Sequence, residues 1–300
     1  MTTPDDGLRA LASQLDAHDD YRVLRRLLPV ARYGAPRDPA NVRRAIVLDV
    51  ETTGLSQTTD VIIELGLIVF SYDKETGAVL DVISSESWLD DPGRAIPDDV
   101  VRLTGITNDE VRGQRIDAAR VRELSDGVAL FIAHNASFDR PFIDRKFPFL
   151  ADRHWGCSMN DVPWRDRNIG SHKLDYLLYT HANAFLDTHH RALDDCRATL
   201  HVLATAFADA RTPMALLLAN CRQQRSRVSA IRSPYETKDV LRKRGYSWSG
   251  ESGTPPKVWC REVATADVAA ELLWLREHVY ANGSAEPTVD KVDLRRRYAL

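Results

Sequence analysis

Ile46-Val47-Leu48-Asp49-Val50-Glu51-Thr52-Thr53-Gly54-Leu55 is an apolar run that ends in two acids and a turn. A β-strand repeats every two residues, so Asp49 and Glu51 leave the same face. Carboxylates held side by side repel each other, and a shared proton or an intervening cation relieves the repulsion. Hard oxygen ligands of this type suit Mg²⁺ or Mn²⁺. A solvated strand end would carry the same residues, so the pair implies chemistry only if other segments supply partners.

Working outward, the apolar pattern predicts strands at about 45–51, 61–72 and 79–89, with Asp73-Lys74-Glu75-Thr76-Gly77 as a hairpin turn between the last two. Loop and short helices fill 90–116, and a helix near 117–125 leads to a fourth strand at Val128–Ala133. A helix then starts after Asn135, capped by Asn135 or Ser137. A short strand near 154–159 and helices near 171–181, 192–209 and 213–222 follow. Strands first and β-α-β alternation afterwards indicate an α/β fold, a mixed sheet flanked by helices. Ahead of it, Leu8, Leu11, Leu15, Val23, Leu24, Leu27 and Leu28 recur near helical spacing, which predicts an amphipathic helix over 5–29 stopped by Pro29. Residues 30–43 read as a linker. Residues 226–300 predict the order β-α-β-β-α-β, that of a ferredoxin-like unit. The expected organisation is therefore an N-terminal helix and linker (1–43), a large α/β domain (44–222) and a smaller basic α+β domain (223–300).

Three hundred residues are ample for a buried core, and the 44% hydrophobic and 28% charged fractions are ordinary for a globular chain. No apolar stretch approaches a membrane span, and Met1-Thr2-Thr3-Pro4-Asp5-Asp6 lacks a signal-peptide run. Cys157, Cys196, Cys221 and Cys260 form no Cys-x-x-Cys pair, which argues against a zinc site or a disulfide scaffold and fits a reducing cytoplasm. The net charge is −3, but it is unevenly spread. Residues 221–300 carry 15 Lys and Arg against 10 Asp and Glu; the remainder carries 25 against 33. An acidic unit beside a basic one suits a carboxylate centre next to a polyanion-binding module, although solvated surface gives the same imbalance.

Two further segments carry candidate partners. In His134-Asn135-Ala136-Ser137-Phe138-Asp139, Asp139 falls in the first turn of a helix that follows a strand. There it either faces the ligand-binding edge of the sheet or complements the helix dipole. In His189-His190-Arg191-Ala192-Leu193-Asp194-Asp195, the offset of five allows His190 and Asp195 to reach one centre from a loop and a helix start. A histidine near neutrality could take a proton from an attacking water. A helix start with local acid pairing, or a His-His transition-metal site, would use the same residues. Glu64, in Val61-Ile62-Ile63-Glu64-Leu65, reads as a strand-face carboxylate contacting the connecting loop, with no chemistry of its own.

Together, four carboxylates and a histidine from three segments match the parts of a two-metal phosphodiester hydrolase. Asp49-x-Glu51-Thr52-Thr53-Gly54, His134-Asn135-x-x-Phe138-Asp139 and His190-x-x-x-x-Asp195 resemble, in order and spacing, the three motifs of the DEDD exonucleases, in the branch with a histidine before the last aspartate. Ile96-Pro97 and Leu103-Thr104-Gly105-Ile106-Thr107 resemble that family's connecting segment, and the likeness covers about 43–210. The family includes proofreading subunits of bacterial DNA polymerase III, ribonuclease T and oligoribonuclease. The resemblance implies a ribonuclease-H-like fold and two divalent cations, Mg²⁺ or Mn²⁺. It implies that Asp49, Glu51 and Asp195 hold one cation, that Asp49 and Asp139 help hold the second, and that His190 is the general base. It further implies that Thr52, Thr53, Gly54 and Leu55 approach the terminal nucleotide through backbone groups, with Leu55 on a base, and that Asn135 and Phe138 support Asp139 and the nucleotide. His134 is expected to support the site, His189 to be a supporting or surface group, and Asp194 to lie on the helix surface. The implied activity is 3′→5′ removal of nucleoside 5′-monophosphates, from DNA in repair or proofreading or else from RNA and short oligonucleotides. Nucleic acid is the implied partner, with a DNA polymerase subunit as a candidate. A non-catalytic nucleic-acid-binding module is the competing class, and the filled motif positions argue against it.

Outside this pattern, Arg242-Lys243-Arg244-Gly245-Tyr246-Ser247-Trp248 could track phosphates and stack bases. The expectation for Trp248, Trp259 and Trp274 themselves is burial in a small core.

Overall fold

The opening stretch is the centre of a five-stranded sheet in a computed structural model that describes residues 4–187, 190–249, 257–280, 286–293 and 295–299. Along the chain, helix α1 (Pro4–Asp16) and the two-residue strand β1 (Arg25–Arg26) precede β2 (Val42–Thr52), β3 (Ile62–Asp73) and β4 (Val79–Leu89). Short helices α2 (Asp98–Thr104), α3 (Asn108–Val111) and α4 (Ala118–Ser125) lead to β5 (Val128–Ala133), α5 (Ala136–Lys146) and β6 (Trp155–Cys157). Helix α6 (Leu174–Thr180), strand β7 (Ala184–Phe185), and helices α7 (Ala192–Ala204) and α8 (Pro213–Arg222) complete this unit. The sheet order is β4-β3-β2-β5-β6, with β2–β3 and β3–β4 antiparallel and β2–β5 and β5–β6 parallel. This is the mixed, ribonuclease-H-like arrangement that the motifs imply.

Strand β2 is central, so both its faces are covered. Ala45 and Val47 join a core with Ile68, Phe70 and residues of α6, α7 and α8. Ile46, Leu48 and Val50 join a second core with Phe131, Phe142 and Trp155 on the other side. Period-two alternation continues Ala45 and Val47 into Asp49 and Glu51. The acids therefore extend the row that α7 covers, at the end where apolar cover stops. Burial of two such cores, at about 25 cal/mol per Å² of apolar surface, fixes which face the acids occupy.

The N-terminal helix is shorter than predicted. It ends at Asp16, where the side chain accepts the Val23 N–H, and the polar Ala17-His18-Asp19-Asp20 run interrupts the apolar stripe. Leu8, Leu11 and Leu15 stay exposed, and residues 25–26 pair in parallel with β7 instead of continuing a helix. The linker runs along β4, with Val82 donating to the Ala31 carbonyl and Tyr33 to that of Leu80.

The C-terminal segment builds its own four-stranded antiparallel sheet from β8 (Arg225–Ala230), β9 (Ser247–Trp248), β10 (Trp259–Ala264) and β11 (Thr288–Val292), in the order β11-β8-β10-β9. Helices α9 (Lys238–Arg244) and α10 (Val268–His278) complete the β-α-β-β-α-β order expected of a ferredoxin-like unit. Its core holds Val228, Leu241, Val263 and Leu275. The expected burial of the tryptophans is not met: Trp248 is 39% exposed, and Trp259 and Trp274 are only partly covered. Strand β9 pairs on one side only and is two residues long, too short to provide full cover. No helix among the described residues is long and apolar enough to cross a membrane.

Candidate active site

Asp49 and Glu51 stand opposite Gly66 and Glu64 on β3. A Cβ at Gly66 would fall inside the van der Waals radius of the Ala192 backbone. Glycine there lets the start of α7 rest directly on the sheet beside Asp49. Asp194 and Asp195 lie in the first turn of that helix. From the other side, α5 begins after Asn135 and brings up Asp139, buried to 2%, whose Oδ1 accepts the Val50 N–H at 3.1 Å. The peptide between the two motif acids thus positions the third. Three elements converge on one strand end.

Among the described residues, ligand atoms of Glu51, His190 and Asp195 lie within 4.8 Å of one another. His190 is exposed and has φ +59, the left-handed region that histidine visits more readily than most residues. His189 lies outside the described residues.

The electrostatics are those of a crowded acidic centre. Burial, then the charges of Asp139, Asp195 and Glu51, hold the Asp49 carboxyl well above the usual range. Burial and the Asp195 and Glu64 charges push Glu51 up to about 8. Burial raises Asp139 to about 7 against the opposing Val50 hydrogen bond. Burial with the Asp175 and Asp194 charges raises Asp195 to about 7. Such a set keeps protons near neutrality unless a cation replaces them. Its oxygen donors and excess of negative charge fit a hard divalent ion, and the nearby imidazole fits proton transfer.

Supporting residues are equally definite. His134 is buried between Ser158 Oγ, 2.7 Å from Nδ1, and the His172 carbonyl, 2.8 Å from Nε2. Burial lowers its pKa to about 4, so it stays neutral and donates from Nε2 to the carbonyl. Glu64, expected from the sequence to touch the connecting loop and to carry no chemistry, is 1% exposed. It accepts from Arg191 Nε and Nη2 and from the Ala192 N–H, each at 3.1 Å, and from Ser87 Oγ at 2.9 Å. It therefore anchors the start of α7 between His190 and Asp195. Nothing local in the sequence signalled the tie to α7, because Arg191 and Ala192 lie 127 and 128 residues from Glu64. Asp175 on α6, also not singled out, adds negative charge at Asp195.

In the turn after Glu51, Thr53 faces inward: its N–H donates to the Val61 carbonyl and its hydroxyl to Asp60 Oδ1 at 2.9 Å. Thr52 donates to the Gly54 carbonyl at 2.6 Å. A Cβ at Gly54 would lie 2.6 Å from Asp60 Oδ2, so its close approach is first to this carboxylate. Leu55, by contrast, is 84% exposed beside the site. Asn135 occupies the N-cap position of α5 without a side-chain capping bond, and Phe138 packs on Phe142 with centroids 5.2 Å apart. Asn135 is thus the expected cap by position, without the side-chain bond, and Ser137 lies inside the helix.

Comparison with known proteins identifies the family to which this domain belongs. The exonuclease model named for ribonuclease T matches residues 46–203. The chain is similar to the PolC-type DNA polymerase III of Clostridium perfringens, 33% identical over 174 residues, which is 56% of this chain and 12% of that protein. It is likewise similar to the PolC-type DNA polymerase III of Listeria welshimeri, 34% identical over 171 residues, 55% of this chain and 11% of that protein. The chain thus spans only a small part of these relatives' length. Among solved structures, exonuclease X in complex with 5′-overhanging duplex DNA matches at a TM-score of 0.40 and 25% identity, over 59% of this chain and 90% of that one. The zinc-bound E. coli ExoI–ssDNA complex matches at 0.46 and 16% identity, over 85% and 66%. The family match runs from the middle of β2 to the last turn of α7 and takes in Asp49, Glu51, Asp139, His190 and Asp195, and the chain belongs to the ribonuclease T exonuclease family.

Proposed function

We propose that the chain is a 3′→5′ exonuclease that removes nucleoside 5′-monophosphates from the 3′ end of single-stranded or frayed DNA, in proofreading or repair. The convergence of Glu51, His190 and Asp195 within 4.8 Å, beside Asp49 and Asp139, carries the reading. Similarity to DNA polymerases supports DNA over RNA, and a polymerase subunit as a partner. A cytoplasmic setting accords with the free thiols of the four cysteines.

Asp49, Glu51, Asp139 and Asp195 would hold two divalent cations, Mg²⁺ or Mn²⁺, whose charge would stabilise the attacking and leaving oxygens. His190, exposed at the mouth, takes the proton as water attacks phosphorus and the 3′ oxygen leaves. Glu64 and Arg191 fix the backbone that carries His190. Leu55 meets the terminal base, and the backbone around Gly54 approaches the nucleotide. Residues 44–222 would form the catalytic domain and 223–300 an accessory one.

The test uses one oligonucleotide labelled at the 5′ end or the 3′ end, as DNA and as RNA, with Mg²⁺, Mn²⁺ or EDTA. The expected result is a 5′-labelled ladder shortening one nucleotide at a time, immediate release of labelled mononucleotide from the 3′-labelled strand, and no reaction in EDTA. His190→Ala should slow this about 10²–10⁴-fold. No hydrolysis of any strand, or mononucleotide release from the 5′ end first, would overturn the reading; faster cleavage of RNA would replace DNA as substrate.

A further inference from the structure

The small C-terminal sheet carries a cleft of about 680 Å³ that the hydrolytic site does not use. Tyr235, Lys238, Arg242, Trp248 and Trp259 line it. Trp248 and Trp259 are directly opposed across the β9–β10 pair, so both rings leave the same face of the sheet, with centroids 5.7 Å apart. Trp248 and Tyr235 are 39% and 76% exposed. Large aromatic rings standing open on a small core offer flat apolar faces to a planar ligand.

Cations accompany the rings. Lys238 and Arg242 are four residues apart on α9 and share a helix face. The Lys238 ammonium lies 4.2 Å from the centre of the Tyr235 ring, and the Arg242 guanidinium 5.7 Å from that of Trp259. Arg242 pairs with Asp239 at 3.2 Å, but both groups are about two-thirds exposed, so the pair is weak and easily exchanged. Arg244 and Arg261 differ: both are tied to the buried Glu271 and serve the core of the unit. The cleft therefore combines open π faces with exchangeable positive charge. Stacked bases joined by phosphates have the complementary chemistry.

We propose that this cleft binds single-stranded nucleic acid, with bases stacking on Trp248 and Tyr235 and backbone phosphates meeting Lys238 and Arg242. It is a second hold on the strand whose 3′ end enters the carboxylate site, and in that respect it rests on the exonuclease reading.

The test measures fluorescence anisotropy of labelled 20-nucleotide oligothymidylate and oligouridylate with the full chain in EDTA, where no cleavage intervenes. The expected result is that Trp248→Ala weakens binding about tenfold and that Lys238→Gln with Arg242→Gln flattens the salt dependence by about one to two phosphate contacts. The two oligonucleotides show which sugar the cleft accepts, and a loss of affinity in the variants for either one supports the site. Hydrolysis of the p-nitrophenyl ester of thymidine 5′-monophosphate should be unchanged in these variants. Equal affinity of wild type and variants, or loss of ester hydrolysis in the variants, would overturn the proposal. If wild-type protein cleaves neither ester nor strand while the variants still lose binding, the cleft stands and the exonuclease reading fails.

Discussion

At the scale of single residues, the site is a conflict held in place. Asp49, Glu51, Asp139 and Asp195 are forced together by two strands and two helices, and burial raises all four. In the cation-free protein the consequence for stability has a definite sign. The unfolded chain ionises these acids near pH 4, while the folded chain ionises Asp139 and Asp195 only near 7 and Glu51 near 8. Stability is therefore full below about pH 4 and falls as pH rises toward 8. Asp49→Asn removes one charge from the cluster. In EDTA it should unfold at higher denaturant concentration than wild type at pH 8, by about 1–3 kcal/mol, and within about 0.5 kcal/mol of it at pH 4. A pH-independent difference would show that the acids do not interact. That these acids and His190 come together was legible, because they sit at short offsets within three segments. The inward commitment of Thr53 and the open Trp248 were not, since each depends on where a short turn or a two-residue strand stops covering its neighbours.

At the scale of elements, the placement of α7 decides the geometry. Two β3 residues set it: Gly66 permits contact and Glu64 ties down Arg191 and the first helical N–H. Gly66→Ala should push the helix away, destabilise the fold by about 1–3 kcal/mol and cut turnover more than it weakens the fold would explain at assay temperature. Chemical denaturation and initial rates measured side by side check this; an unaffected rate would mean that α7 need not lie on the sheet. Strand periodicity predicted β2 to β5 closely because each alternates against a continuous core. The N-terminal helix stops short of its predicted end because the apolar residues at helical spacing persist beyond Asp16, where the aspartate side chain instead captures Val23 and turns the chain. The tie from Glu64 to Arg191 and Ala192 was not legible for the complementary reason: those two partners come from the far end of the domain, which no local pattern reports.

At the scale of the whole molecule, the two sheets are joined through a buried polar contact. Arg297, 4% exposed, pairs with the fully covered Asp161 at 2.6 Å, and the Tyr298 hydroxyl donates to the same carboxylate at 3.0 Å. Arg140 donates to the carbonyls of Arg295 and Arg297. The C-terminal residues are thereby held against the segment that follows β6. Arg297→Met leaves Asp161 buried with its charge poorly matched and should cost about 3–5 kcal/mol. Addition of Asp161→Asn should restore part of that loss in a double-mutant cycle, and additive effects would refute the pairing. The topology of the small sheet was legible from its element order, but this bridge was not, because Asp161 and Arg297 are 136 residues apart and neither lies in a recognisable motif.

The central claim is that the acids gathered around β2 form a centre built to exchange protons for divalent cations. Calorimetric titration of Mn²⁺ into the protein, in two buffers of different ionisation heat at pH 6.5 and 8.5, tests it most directly. Binding should release protons, more of them at pH 6.5 than at 8.5, with affinity at least about tenfold lower in Asp49→Asn and Asp195→Asn. Binding without proton release, or equal affinity in both variants, would contradict it.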